Sequence, residues 1–226
     1  MRCDRHGAAR SPLGAAALRL ESSKLEPDEI ARQVAAFVAR DGIAIVPTDT
    51  VYGIGCAPAS EAAVERIFAV KRRPLAKPLS LHFGSAAELL SYAPGNELAA
   101  HAAAHFLPGP LTLIVARPPS VAAFVTRGLA TVGLRAPAHA LLQAILSRSG
   151  PLAATSANRS GEAAFTGSGP VTELPEADVF VDDGPTPLGA ESTIVDVSGR
   201  RPRIVREGAI GRAMLEAVLG PMGGAG

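Results

Sequence analysis

Residues 27–55 read PDEIARQVAAFVARDGIAIVPTDTVYGIG, and this stretch sets the architecture. Pro27 fits the first turn of a helix, and Asp28 and Glu29 suit its positive end. Ile30, Val34, Phe37 and Val38 then fall on one face, and Gly42 closes the helix. Ile43 to Val46 is an apolar run of strand length ending at Pro47, and a polar loop follows at the place where α/β proteins put function. The same alternation continues outward. Ser60 caps a second helix whose last turn delivers Lys71, Arg72 and Arg73 before Pro74. Strand patterns cover residues 79–83, 111–116, 131–135, 152–155, 178–181, 193–197 and 203–206, and helical patterns cover 86–92, 97–106 and 138–147. The expected fold is α/β, a single twisted mixed parallel/antiparallel sheet flanked by helices. The late strands follow one another with no helix between them, so antiparallel pairing is expected among them.

The 226 residues suit one domain, and a chain of this length buries roughly 70% of its unfolded surface without disulfides or a structural metal. Cys3 and Cys56 make no disulfide framework and no cysteine-rich zinc site, which fits a reducing, cytoplasmic location. Twenty-two Lys and Arg against 21 Asp and Glu leave a formal charge of +1, against a protein that coats nucleic acid. No apolar run reaches the roughly 20 residues of a membrane span, so no membrane partner is expected. Met1 to Leu20 carries four arginines and one acid among alanines, a faint likeness to a transit segment that an alanine-rich leader or an over-long start explains better. The expected organisation is a variable or disordered leader at 1–16, a folded domain at 17–215 and a tail at 216–226.

No phosphate loop, dinucleotide fingerprint, nucleophile elbow or zinc-helix motif is present. Polar clusters at strand ends remain. Residues 47–53, PTDTVYG, offer hydroxyls, a carboxylate and a phenol, suited to a small polar ligand or to a turn that satisfies its own backbone. Residues 71–78, KRRPLAKP, place four cations in seven positions; a solvated helix end and a polyphosphate clamp made rigid by two prolines both explain them. Residues 155–161, TSANRSG, read as an anion-binding nest or an ordinary turn. Arg135 and Arg206 end strands and suit carboxylate or phosphate, or a surface acid such as Glu207. His101 and His105 at i, i+4 are read as helix surface, and Asp182 and Asp183 as a turn.

Seven stretches together resemble the YrdC-like family of L-threonylcarbamoyladenylate synthases: PTDTVYGIG at 47–55, KRRPLAKPLSLH at 71–82, PGPLT at 108–112, TVGLRAP at 131–137, TSANRSG at 155–161, GAESTIVD at 189–196 and IVREG at 204–208. They run in the family's order over residues 15–215, at the length of its short form, and imply a YrdC-like catalytic domain there. The resemblance implies that Lys71 and Arg73 are catalytic, clamping the ATP phosphates with Lys77. It implies that Ser156, Asn158, Thr131 and Arg206 complete the ATP site. It assigns Thr50, His82, Arg135, Ser192 and backbone near Ala154 to L-threonine, with no protein metal site. Two departures stand out: Ala164-Phe165-Thr166 replaces the usual Ser-Pro-Thr, and Arg206-Glu207-Gly208 replaces Arg-Pro-Gly, removing one hydroxyl and bringing an acid toward the triphosphate.

The implied reaction takes L-threonine, bicarbonate and ATP with Mg2+ to threonylcarbamoyl-AMP and pyrophosphate. A downstream tRNA-modifying transferase would receive the product for threonylcarbamoyl modification of an adenosine in tRNA, without direct tRNA contact being required. The threonine amine would capture CO2 as a carbamate whose oxygen attacks the α-phosphorus, so the enzyme's work is alignment and charge compensation, not covalent catalysis. Two other readings are an RNA-binding module without chemistry, which the scarcity of aromatic residues opposes, and a carbamoyl-adenylate-forming relative with another substrate, as in hydrogenase-maturation proteins.

Overall fold

The first helix forms where its residues favour it. In the computed structural model, which describes residues 18–223, α1 spans Pro27–Val38 and buries Ile30, Ala31, Val34 and Val38. Gly42 ends its turn by donating its N–H to Phe37 O at 2.9 Å. A Cβ at position 42 would stand 2.5 Å from that oxygen, so only glycine closes this corner. The remaining helices are α2 (Glu61–Lys71), α3 (Ala86–Leu90), α4 (Glu97–Phe106), α5 (Ala123–Thr126), α6 (Ala140–Ser149) and α7 (Arg212–Leu219). Side chains of Ser60, Ser85 and Asn96 accept N–H groups in the first turns of α2, α3 and α4.

The strands are β1 (Leu18–Glu21), β2 (Ala44–Val46), β3 (Gly53–Cys56), β4 (Ser80–His82), β5 (Leu111–Ala116), β6 (Thr131–Arg135), β7 (Leu152–Ser156), β8 (Val179–Asp182), β9 (Thr193–Asp196) and β10 (Arg203–Arg206). They form one sheet in the order β1-β8-β2-β3-β7-β4-β6-β5-β9-β10. Pairing is parallel at β1–β8, β8–β2, β4–β6 and β5–β9 and antiparallel elsewhere, the mixed sheet expected. The antiparallel part is not concentrated among the late strands, however. β8 runs to one end of the sheet beside β1 and β2, and only β9 and β10 form a late antiparallel pair.

Alternation along the strands sorts the core into two clusters. Ala44 and Val46 join Val34, Leu142, Ile145, Val179 and Val181 beneath α1 and α6 on one face. Ile43 and Ile45 join Ile54, Val64, Ile67, Leu81, Leu134 and Leu215 on the other, beneath α2, α4 and α7. Both faces of β2 are therefore covered, which is why its run is apolar without alternation. The helix pair α1 and α6 covers β1, β8 and β2 and, at Leu152, the start of β7. Farther along that face Ser80, Thr112, Gly133 and Ala154 line open space.

Four elements depart from the sequence reading. Leu18–Glu21, inside the domain expected at 17–215 but not read as a strand, pairs with β8; residues 1–17 lie outside the described residues. The tail expected from 216 is helical to Leu219, and Gly223 bridges to Arg203. The short α5 carries no periodicity of its own and forms where Val125 is buried. Gly53–Cys56, where the sequence reading has no strand, is a strand because its glycines permit close approach: a Cβ on Gly55 would lie 3.2 Å from Ala154 Cβ.

Candidate active site

The open part of the sheet is the floor of a cleft of about 660 Å³. Successive side chains of a strand point to opposite faces, so β4 buries Leu81 and presents Ser80 and His82, β6 buries Val132 and Leu134 and presents Gly133 and Arg135, and β5 buries Leu113 and presents Thr112 and Ile114. Cross-strand register aligns Ser80 with Gly133 and Ala154, and His82 with Arg135. Small residues keep the centre of the floor low. Loops after β2 and β7, the segment after α2 and the strands β9 and β10 raise the walls.

One wall is cationic. Lys71 ends α2 with its side chain folded inward, 1% exposed, and its Nζ donates to the carbonyls of Ser156 and Asn158. Ser160 N–H returns a bond to Lys71 O at 3.1 Å, so this lysine ties the helix end to the loop after β7. Burial, with the neighbouring charge of Arg73 second, lowers the Lys71 ammonium to about 7. Arg72 takes the left-handed conformation, φ 50°, and turns the chain. Arg73 then donates through Nε to Lys77 O and through Nη2 to Pro78 O, both at 2.8 Å, and burial lowers its pKa to about 10. The guanidinium thereby organises the proline-framed segment that carries Lys77.

The opposite part of the cleft centres on Arg135. Its Nη2 donates to Asp49 Oδ1 at 2.5 Å, with the two side chains 5% and 6% exposed. Burial presses its pKa down against the opposing pull of Asp49. His82 beside it is neutral: burial first, then the charge of Arg135, lowers its pKa to about 3. Thr48 Oγ1 accepts the N–H groups of Thr50 and Val51 and donates to Val51 O, a self-closed turn that sets Thr50 at the cleft. Arg206 donates to Ser192 O at 2.8 Å and pairs with Glu191 at 2.9 Å, while the Ser192 hydroxyl meets Thr112 Oγ1 at 2.9 Å. Thr112 stood in a quoted stretch without a role; a hydroxyl in the middle of an apolar strand was the signal.

Of the twelve residues singled out in the sequence, eleven line this one cleft: Thr50, Lys71, Arg73, Lys77, His82, Arg135, Ala154, Ser156, Asn158, Ser192 and Arg206. Thr131 does not. It stands on the same face of β6 as Gly133 and Arg135, one pleat farther along, opposite Ala116. The concern over Glu207 is corrected, because its carboxylate accepts the N–H of Arg212 at 2.9 Å, outside the cleft, and begins α7. Glu191 is the acid that meets Arg206. Phe165, in place of the usual proline, packs its ring 5.1 Å from Tyr52 and 6.4 Å from Phe180.

Other candidates separate from the cleft. His105 turns its Nδ1 to His101 O within its own helix. Asp182 accepts Gly184 N–H, a turn as expected. Burial pushes the Cys56 thiol up to about 12, leaving it inert. Among the described residues, no group of three or more His, Cys, Asp or Glu side chains is gathered to hold a metal ion, and no helix is long and apolar enough to cross a membrane.

A family model described as Telomere recombination, the Sua5/YciO/YrdC domain, matches residues 36–208. A Bacillus subtilis (strain 168) protein named Threonylcarbamoyl-AMP synthase is 37% identical over 195 residues, covering 84% of this chain and 56% of that protein. A protein of the same name from Pyrococcus abyssi is 37% identical over 193 residues, covering 84% and 57%. The structure of P. abyssi Sua5 complexed with L-threonine superimposes with a TM-score of 0.84 at 34% identity, over 92% of this chain and 62% of that one. The chain thus spans less than two thirds of the length of each. Every residue lining the cleft lies inside the matched span, and the chain belongs to the Sua5/YciO/YrdC family.

Proposed function

We propose that this chain is an L-threonylcarbamoyladenylate synthase of the cytoplasm, converting L-threonine, bicarbonate and ATP into threonylcarbamoyl-AMP and pyrophosphate. The observation that carries the reading is the single cleft in which Lys71, Arg73, Lys77, Arg135 and Arg206 converge over a floor of small residues, within a chain of almost no net charge. Two reactants that repel each other, a carbamate and a triphosphate, need such a concentration of positive charge to meet. Lys71, Arg73 and Lys77, with Ser156, Asn158 and Arg206, take the nucleotide. Thr50, His82, Arg135, Ala154 and Ser192 take the amino acid.

The step needs no covalent enzyme intermediate. Bicarbonate takes up a proton and loses water to give CO2, to which the threonine amine, once neutral, bonds as it loses a proton. The resulting carbamate oxygen bonds to the α-phosphorus as the bond to the pyrophosphate oxygen breaks. The cations compensate charge on the transferring group, and holding the reactants in line contributes on the order of 7–11 kcal/mol. Neutral His82 can accept or donate a hydrogen bond without adding charge beside Arg135. Among the described residues, the carboxylates lining the cleft are Glu162 and Glu191, too few for a cage, so Mg2+ enters as part of the MgATP substrate, held by phosphate oxygens and water. The product suits a downstream tRNA-modifying transferase as its acceptor.

The test supplies the protein with MgATP, labelled bicarbonate and single amino acids. Threonine-dependent pyrophosphate release with label in a threonylcarbamoyl adenylate is expected; no release with threonine refutes the reading. A site that binds RNA without catalysis would release none, and its RNA affinity would collapse steeply with salt.

A further inference from the structure

Arg135 reaches the cleft, but what aims it lies behind the cleft. Asp49 lines no part of the cavity, and among the described residues its carboxylate is the one ion-pair partner of Arg135. Among the described residues, the guanidinium makes one other bond, a long one from Nε to Gly109 O at 3.4 Å. Asp49 is itself pinned from both sides. Thr48 closes its turn, Leu188 N–H donates to Asp49 O at 3.1 Å, and the Thr186 hydroxyl donates to Thr50 O at 2.8 Å. The carboxylate is nonetheless half satisfied, since Oδ2 is buried with no hydrogen-bond partner. Among the described residues, its carboxylate is committed to Arg135 alone.

We propose that Asp49 is a positioning residue: through its Oδ1 bond it fixes the guanidinium plane of Arg135 so that the free edge faces the substrate's carboxylate, and so sets selection for a free α-carboxylate. This rests on the reading that Arg135 takes threonine. Removing the Asp49 charge leaves a buried Arg135 without its orienting partner, and the geometric advantage of a planar fork over a point charge disappears.

The experiment measures binding of L-threonine and of L-threoninamide, which lacks the carboxylate charge, by titration calorimetry on the full chain. Wild type is expected to prefer threonine on the order of 30-fold, the value of one charge-assisted contact. Asp49→Asn is expected to cut that preference to within about threefold while leaving MgATP affinity within about threefold. A general loosening of the fold would weaken both amino ligands alike and keep their ratio, so a preserved ratio in Asp49→Asn overturns the proposal. Where Asp49→Asn does not fold, the double variant Asp49→Ala/Arg135→Ala, which removes both charges, is compared with Arg135→Ala. Equal preferences support the proposal, because Asp49 then acts only through Arg135, and a further loss in the double variant overturns it. Failure of wild type to bind threonine at all refutes the substrate reading and this proposal with it; normal wild-type binding with an unaltered Asp49→Asn ratio refutes this proposal alone.

Discussion

Gly208→Ala tests how closely the cleft depends on the backbone behind it. A Cβ at position 208 would stand 2.3 Å from Glu191 O and 2.7 Å from both Ser192 C and Ser192 O. Those are backbone atoms and cannot rotate away. Restoring even a 3.0 Å contact requires the 191–192 segment to retreat by about 0.7 Å at Glu191 O. That segment carries three dependent bonds: Ala209 N–H to Glu191 O at 2.9 Å, Arg206 Nη2 to Ser192 O at 2.8 Å and the Ser192 hydroxyl to Thr112 at 2.9 Å. Overpacking of this kind costs about 1–3 kcal/mol of stability. A domain of this size then melts several degrees lower, at about 2–4 °C per kcal/mol. Activity should suffer more than stability, because Ser192 and Arg206 are the residues proposed for the two substrate subsites and a misplacement near 1 Å costs on the order of 100-fold in rate. Threonine-dependent pyrophosphate release, beside a thermal melt, reads both quantities. A folded Gly208→Ala variant releasing pyrophosphate within about threefold of the wild-type rate would refute the reasoning.

Lys71→Met should abolish pyrophosphate release and also change how stability depends on pH. The folded lysine titrates near 7 instead of 10.5, so between those values the unfolded chain holds a proton that the folded chain has released, and wild-type stability rises with pH across that window by up to about 1.4 kcal/mol per unit. Denaturant midpoints at pH 7 and pH 9 should therefore differ less in Lys71→Met than in wild type; equal pH slopes would count against the depressed ammonium. Glu207→Ala should cost about 0.5–1 kcal/mol by uncapping α7 and leave the KM for MgATP unchanged, whereas a tighter KM would show the acid facing the triphosphate after all. Arg135→Ala should raise the threonine requirement far more than that for MgATP, and equal effects on both would contradict the division of the cleft.

Much of this molecule was legible in the sequence because its signals are local. Apolar runs such as Leu111–Ala116 and caps such as Ser60 and Asn96 need only their neighbours to declare themselves. The polar clusters were found for the same reason, and eleven of the expected residues line one cleft. What was missed depends on distance. Gly53–Cys56 has little strand propensity and is a strand only because β2 and β7 stand on either side. The partner of Arg135 lies 86 residues away, so a surface pairing was an equal reading of the same residue. Glu207 looked like a threat to phosphate from its position beside Arg206, yet its side chain serves the helix that follows. Thr131 was placed by motif alone, and no local pattern distinguishes its pleat from that of Gly133.

The partly covered sheet carries a consequence for how such a chain can change. Along β4, β5 and β6, the residues of the hydrophobic interior alternate with Ser80, His82, Thr112, Ile114, Gly133 and Arg135 of the cleft, so the two sets are interleaved in sequence yet separated by the thickness of the sheet. Exchanges at Ser80, Thr112 or Ile114 can reshape what the protein accepts while Leu81, Leu113 and Val115 go on holding it together. New specificities are within reach by single steps on one side of the pleat, with the scaffold left intact on the other.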